Sequence, residues 1–153
     1  MQLREIMTET VVTAGPGAPA REVAELMRDR NVGSVVIIDA AGHPCALVTD
    51  RDLAMTVLAE ATDPETPVES VATTPVVTGE ADMDLEEAAA LMVSHRIRRL
   101  PVMDEEELAG IVTLDDIAVR TGNLEVAAAK RHPQVRLTVD TPEDLRRDRK
   151  SVV

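Results

Sequence analysis

Leu47-Val48-Thr49-Asp50-Arg51-Asp52 and Ile111-Val112-Thr113-Leu114-Asp115-Asp116 follow one pattern: an apolar pair, a threonine, two variable residues and an aspartate, 64 positions apart. Working outward, Thr8, Val11, Val12, Thr13, Ala24, Leu26, Met27 and Asp39 recur 65 positions later as Thr73, Val76, Val77, Thr78, Ala89, Leu91, Met92 and Asp104. The register changes by one residue, between Asp39 and Val48, inside a turn. A unit repeated in this way seldom buries its apolar face alone. The two repeats are therefore expected to pack as a pseudo-symmetric pair, with any ligand site in the crevice between them.

Each repeat reads as strand, helix, strand, strand, helix. Short Val-Val-Thr strands are expected at Val11 to Thr13 and Val76 to Thr78, and helices at Pro19 to Arg30 and Asp84 to Arg96. Val23, Leu26 and Met27, and again Ala88, Leu91 and Met92, carry helical spacing. Pro19 suits a first helical position, and Asp84 with Glu87 reads as a capping box. Paired strands follow at Ser34 to Ile38 with Ala46 to Thr49, and at Arg99 to Met103 with Ala109 to Thr113. Closing helices begin near Asp50 and Leu114. The expected organisation is a first repeat over 1–60, a linker over 61–70, a second repeat over 71–122 and a partly ordered tail over 123–153. Within that tail, Leu124 to Lys130 could extend a helix and Val135 to Val139 could form a strand. The fold class is α/β of the α+β sandwich type, two β-α-β-β-α units packed through their sheets.

Phe, Tyr and Trp are all absent, so the core is built from Val, Leu, Ile, Met and Ala, and no ligand ring can stack on an aromatic side chain. Residues 1–129 hold 9 Arg against 24 Asp or Glu, whereas residues 130–153 hold 7 basic and 4 acidic residues. An acidic body argues against general nucleic-acid binding, which depends on phosphate neutralisation. The basic tail is the one part that could contribute to it. Cys45 is the only cysteine, which excludes an internal disulfide, fits a reducing cytosol and suits a small buried strand residue. No signal peptide and no run near the ~20 apolar residues of a membrane span is present, so a cytoplasmic location is expected.

A threonine at a strand-to-helix turn places a hydroxyl beside free backbone N–H groups, and the aspartate three residues on falls in the first helical turn. That pairing suits a nucleotide, with ribose hydroxyls on the aspartate. It equally suits a capping box needing no ligand. Arg96, Arg98 and Arg99 crowd the entry to a strand of repeat two and suit a phosphate; repeat one has Val32-Gly33-Ser34-Val35-Val36 there, without charge. The alternative for the arginines is a solvated helix end, with His95 and Arg96 favouring the helix C-terminal dipole.

Met7-Thr8, the two Thr-x-x-Asp endings and Arg98-Arg99-Leu100-Pro101-Val102 fall in the order seen in the CBS (cystathionine beta-synthase) domain. Over residues 2–122 the chain resembles a tandem CBS pair, or Bateman module, of the small stand-alone bacterial type. The resemblance implies a regulatory module without catalytic activity that senses an adenosine-containing ligand (AMP, ADP, ATP or S-adenosylmethionine) and requires no other cofactor. It implies that Asp52 and Asp116 hold ribose, Thr49 and Thr113 lie by phosphate or ribose, Arg98 and Arg99 hold phosphates, and Thr74 lies near the adenine. Because Gly33 and Ser34 lack charge, one stronger site using Arg98 and Arg99 is expected. A homodimer is expected on the same resemblance, together with an effector protein of unknown identity and no membrane partner.

An enzyme is the first competing class. His43, His95 and His132 are scattered without metal-ligand spacing, and Cys45 has no marked base, so no catalytic constellation forms. Asp115, Asp116 and Glu105 to Glu107 read as solvated turn acids rather than metal ligands. A ligand-free interaction module, in which the Thr-x-x-Asp turns only cap helices, is the second.

Overall fold

The computed structural model describes residues 1–122. The expectations for Leu124 to Lys130, Val135 to Val139, His132 and the basic tail lie outside the described residues.

In repeat one, β1 (Thr13–Ala14), α1 (Ala20–Arg30), β2 (Ser34–Ile38), β3 (Pro44–Thr49) and α2 (Asp50–Leu53) follow in order, and α2 runs on into a π-helical turn, Ala54–Leu58. In repeat two the counterparts are β4 (Gly79–Glu80), α3 (Leu85–Ser94), β5 (Arg99–Asp104), β6 (Glu107–Thr113) and α4 (Leu114–Thr121). Each repeat makes a three-stranded sheet, ordered β1-β2-β3 and β4-β5-β6. The first pairing in each is parallel and the second antiparallel. Even the irregularities repeat: the ladder shifts between Ile37 and Ile38, and again between Val102 and Met103.

The helices form where apolar side chains recur every three or four residues. Ala20, Val23 and Met27 are the buried face of α1, and Leu85, Ala88, Ala89 and Met92 that of α3. Left-handed Asn31 (φ 53°) and Arg96 (φ 55°) turn the chain out of the two helices at equivalent positions. Pro19, expected as the first helical residue, is instead the N-cap of α1, which begins one position later at Ala20. The expected Asp84 and Glu87 box is half made: Asp84 accepts from the Glu86 N–H at 3.0 Å, and Glu87 takes no part in the cap. There the N-terminal segment docks instead, with Gln2 bridged to Asp84.

Two apolar cores result, one per sheet. Val23, Met27, Val35, Ile37, Val48 and Leu53 form the first, and Leu85, Met92, Leu100, Val102, Val112 and Ile117 the second. Each is completed by a residue from elsewhere in the chain. Leu3, wholly buried, sits in the second core, and Val68, its counterpart 65 positions on, sits in the first. Leu3 donates its N–H to the Met83 carbonyl at 3.0 Å, and Val68 donates to the Ala18 carbonyl at 2.8 Å. The leading segment of each repeat therefore packs on the opposite half, and residues 61–70, expected only to link, supply a core side chain.

This crossing also moves the first strands. Thr8 pairs with Ile111 on β6 while Thr13 pairs with Val36 on β2, and Thr73 pairs with Leu47 on β3 while Gly79 pairs with Val102 on β5. Val11, Val12, Val76 and Val77 thus lie in the passage between halves, where Val12 packs on the first core and Val77 on the second. The ladders begin later, at Thr13 and Gly79. Cys45 lies in β3 as expected but is half-buried, its thiol donating to the Ile37 carbonyl at 3.4 Å. No helix among the described residues is long and apolar enough to cross a membrane.

Candidate functional site

The two Thr-x-x-Asp turns fold alike because a strand ends on a threonine whose extended backbone leaves the next residues free to turn. Thr49 (φ −112°) and Thr113 (φ −101°) are the N-caps of α2 and α4. The Asp52 N–H donates to Thr49 Oγ1 at 3.1 Å, and the Thr49 N–H donates to Asp52 Oδ2 at 2.9 Å. The same pair of bonds links Thr113 and Asp116, at 2.9 and 3.1 Å. Both are complete capping boxes, so the structural role of these residues is realised. The boxes use only Oδ2 of each carboxylate, and Oδ1 of both Asp52 and Asp116 has no partner among the described residues. All four side chains are half-buried.

The repeats differ in the hydroxyl proton. Thr113 Oγ1 lies 2.7 Å from Asp116 Oδ2 and donates to it, whereas Thr49 Oγ1 only accepts from the Asp52 N–H.

The three arginines do not converge. Arg96 is the exposed left-handed residue after α3, and His95 Nδ1 lies 3.0 Å from the Leu91 carbonyl, a helix-end arrangement. Arg98 Nη2 is 3.9 Å from Asp115 Oδ2, with both side chains more than half exposed, a pair worth little in stability. Arg99, half-buried, reaches into repeat one: an ideal Cβ built on Gly33 would lie 2.7 Å from Arg99 Nη2 and 3.4 Å from Asp50 Oδ2. The expected basic pair is therefore divided between the halves.

Thr74 follows Thr73, which exchanges two backbone hydrogen bonds with Leu47 (2.9 and 3.2 Å), so Thr74 lies along the edge of β3, on the repeat-one side. Its counterpart is Glu9, following Thr8 along β6. The seven candidate residues thus sort into Thr49, Asp52 and Thr74 on one side and Thr113, Asp116 and Arg98 on the other, with Arg99 crossing. Glu9 was missed, while Gly33 was read only as an uncharged position and Asp115 only as a solvated acid. The 65-residue period, laid over Thr74 and Arg98, marks Glu9 and Gly33 directly.

Two open surface grooves are present among the described residues. One, of about 390 Å³, runs between α1 and the α2 segment and is lined mainly by Ala20, Ala24, Met27, Leu53, Val57 and Leu58. The other, of about 410 Å³, is more polar and includes Glu9, Thr13, Gly42, Glu106 and Glu107. Neither contains Thr49, Asp52, Thr113 or Asp116. Among the described residues no group of three or more His, Cys, Asp or Glu is placed to hold a metal ion.

Comparison with known proteins bears directly on this duplicated architecture. The profile of the CBS domain matches twice, over residues 3–59 and 68–120. The CBS domain-containing protein YhcV of Bacillus subtilis is 39% identical over 127 residues, covering 83% of this chain and 90% of its own. Among solved structures, the CBS domain protein PAE2072 from Pyrobaculum aerophilum, complexed with AMP, superposes with a TM-score of 0.74 at 27% identity, covering 84% of this chain and 99% of its own. The CBS domain pair of protein MJ0100, in complex with 5-methylthioadenosine and S-adenosyl-L-methionine, gives a TM-score of 0.72 at 26% identity, covering 80% and 96%. With two copies of the motif, two copies of the sheet and two matches to the profile, the chain belongs to the CBS domain family.

Proposed function

We propose that this protein is a regulatory module, without catalysis of its own, that binds an adenosine-containing ligand (AMP, ADP, ATP or S-adenosylmethionine) in the cleft between its CBS repeats. The observation that carries this reading is the state of the two aspartates: each box holds Oδ2 and leaves Oδ1 available to accept from ribose hydroxyls. The AMP complex of PAE2072 and the S-adenosylmethionine complex of MJ0100 support the choice of ligand class. In this reading the base lies between aliphatic walls near Thr74 and is read by backbone groups. Ligand binding shifts the packing of the halves by its difference in affinity between states. An effector protein reads that shift.

Thermal unfolding by circular dichroism, with AMP, ADP, ATP, S-adenosylmethionine, NADH and GTP, tests it. A ligand at 100 times its dissociation constant adds about 2.7 kcal/mol. In a chain of this size that raises Tm by roughly 5–10 °C. The shift should fall in Asp52→Asn or Asp116→Asn, which keep an acceptor for the cap. No shift with any adenosine compound would refute the reading.

A second reading, a ligand-free homodimerisation module, is favoured by one observation: Met55 (51%), Leu58 (80%) and Val119 (79%) are apolar and exposed on the closing helices. Leu58→Glu should then lower the sedimentation coefficient at fixed concentration, and unchanged sedimentation would remove this reading. A dimer remains compatible with ligand binding.

A further inference from the structure

The two halves of the cleft are unequal, and the inequality favours the side opposite to the one carrying the arginines in sequence. We infer that a phosphate-bearing adenosine ligand binds on the repeat-one side, with its phosphate on Arg99 reaching across from repeat two, and that Gly33 is the specificity-determining residue that makes room for it. The inference rests on the adenosine-binding reading above and adds to it which half is used and by what cation.

Gly33 is the positional equivalent of Arg98, and Ser34 of Arg99. The missing side chain at Gly33 leaves a space that the Arg99 guanidinium occupies, since a Cβ there would stand only 2.7 Å from Nη2. Gly33 is tied to the aspartate turn: its carbonyl accepts from the Asp50 N–H at 3.0 Å, and Ser34 is the ladder partner of Thr49. Arg99, whose backbone is the ladder partner of Thr113, therefore brings its positive charge across to Gly33, next to the start of the Asp50 turn. Arg98 stays on its own side, 3.9 Å from Asp115.

Three further differences point the same way. Thr49 Oγ1 keeps its proton to donate to a phosphate oxygen, whereas Thr113 donates to Asp116 Oδ2 at 2.7 Å. The residue along the strand edge is neutral Thr74 on the repeat-one side and Glu9 on the other. By sequence count the repeat-one turn carries Asp50 and Asp52 with Arg51, and Arg99 reaches Gly33 beside it, while the repeat-two turn carries Asp115 and Asp116, with Arg98 3.9 Å from Asp115 and Glu9 on the neighbouring strand edge. An anion is thus opposed on the second side and balanced on the first.

Isothermal titration of the full chain with AMP and with adenosine, for wild type and for Arg99→Ala, Gly33→Val and Arg98→Ala, tests this. Arg99→Ala should weaken AMP by about tenfold or more, the range for a lost charge-assisted hydrogen bond, and leave adenosine unchanged. Gly33→Val should reproduce that loss by displacing the guanidinium. Because the displaced group is the mobile end of a long side chain, Tm without ligand should stay near wild type. Arg98→Ala should cost AMP less than threefold. An Arg98→Ala loss equal to or larger than that of Arg99→Ala, or AMP binding indifferent to Arg99 and Gly33, overturns the inference while leaving adenosine binding intact. Failure of wild type to bind any of AMP, adenosine, ADP, ATP and S-adenosylmethionine, titrated in the same way, overturns both.

Discussion

Leu3 lies in the first repeat by sequence and in the second by packing, and Leu3→Ala separates the two descriptions. Its side chain is wholly buried among Leu85, Leu100 and neighbouring residues of the second core. An ideal Cβ on Gly79 would lie 2.9 Å from Leu3 Cδ1 and 2.8 Å from Leu100 Cδ2, so the leucine is seated directly on a glycine backbone. A glycine has no side chain with which to fill the gap, and the β4 ladder fixes its position. Collapse should be poor, placing the cost near the middle of the Leu→Ala range, about 3 kcal/mol. If the pair unfolds as one unit, Tm falls by roughly 6–12 °C. Circular dichroism suits the measurement, because the chain has no Phe, Tyr or Trp to report by fluorescence. Hydrogen exchange supplies the location: amides of β5 and β6 should lose protection before those of β2 and β3. Val68→Ala should do the reverse, weakening β2 and β3. A loss below about 1 kcal/mol, or protection lost first in the repeat-one sheet, would refute the exchanged packing.

The remaining predictions concern caps and charge. Thr113→Ala removes both an acceptor for the Asp116 N–H and a donor to Asp116 Oδ2, so it should cost about 1–2 kcal/mol in urea unfolding; Thr49→Ala, losing the acceptor alone, should cost about 0.5–1 kcal/mol. The Asp84 carboxyl is held below the usual carboxylate range, first by the Glu86 N–H and then by the Met1 ammonium. A depressed folded-state value stabilises the protein above about pH 4 and loses that contribution as pH falls through the folded value. Asp84→Asn should therefore show a shallower loss of urea midpoint between neutral and acid pH than wild type, and identical slopes would contradict the assignment.

How much of this was legible in the sequence follows from the range of the interactions involved. The repeat is written directly in matching residues 64 and 65 positions apart, while the β2 and β5 strands and the Thr49 and Thr113 caps rest on neighbours within a few residues, and all stand where periodicity and cap chemistry put them. Val11-Val12 and Val76-Val77 misled because an apolar β-branched pair reads as a strand, whether it lies in a ladder or crosses between two cores. Leu3 and Val68 could not be assigned to the opposite half, since local pattern carries no information on which core receives a buried side chain. Arg98 and Arg99 were adjacent in sequence and were read as one cluster. Adjacent residues entering a strand diverge to opposite faces, and the vacancy at Gly33 drew one of them across.

Two-dimensional NMR of backbone amides during titration with AMP, ADP, ATP and S-adenosylmethionine tests the central claim most directly. Ligand binding between the CBS repeats predicts saturable shifts centred on Gly33, Thr49 to Asp52 and Thr73 to Thr74. Spectra unchanged by all four compounds, or shifts confined to the groove between α1 and the α2 segment, would contradict it.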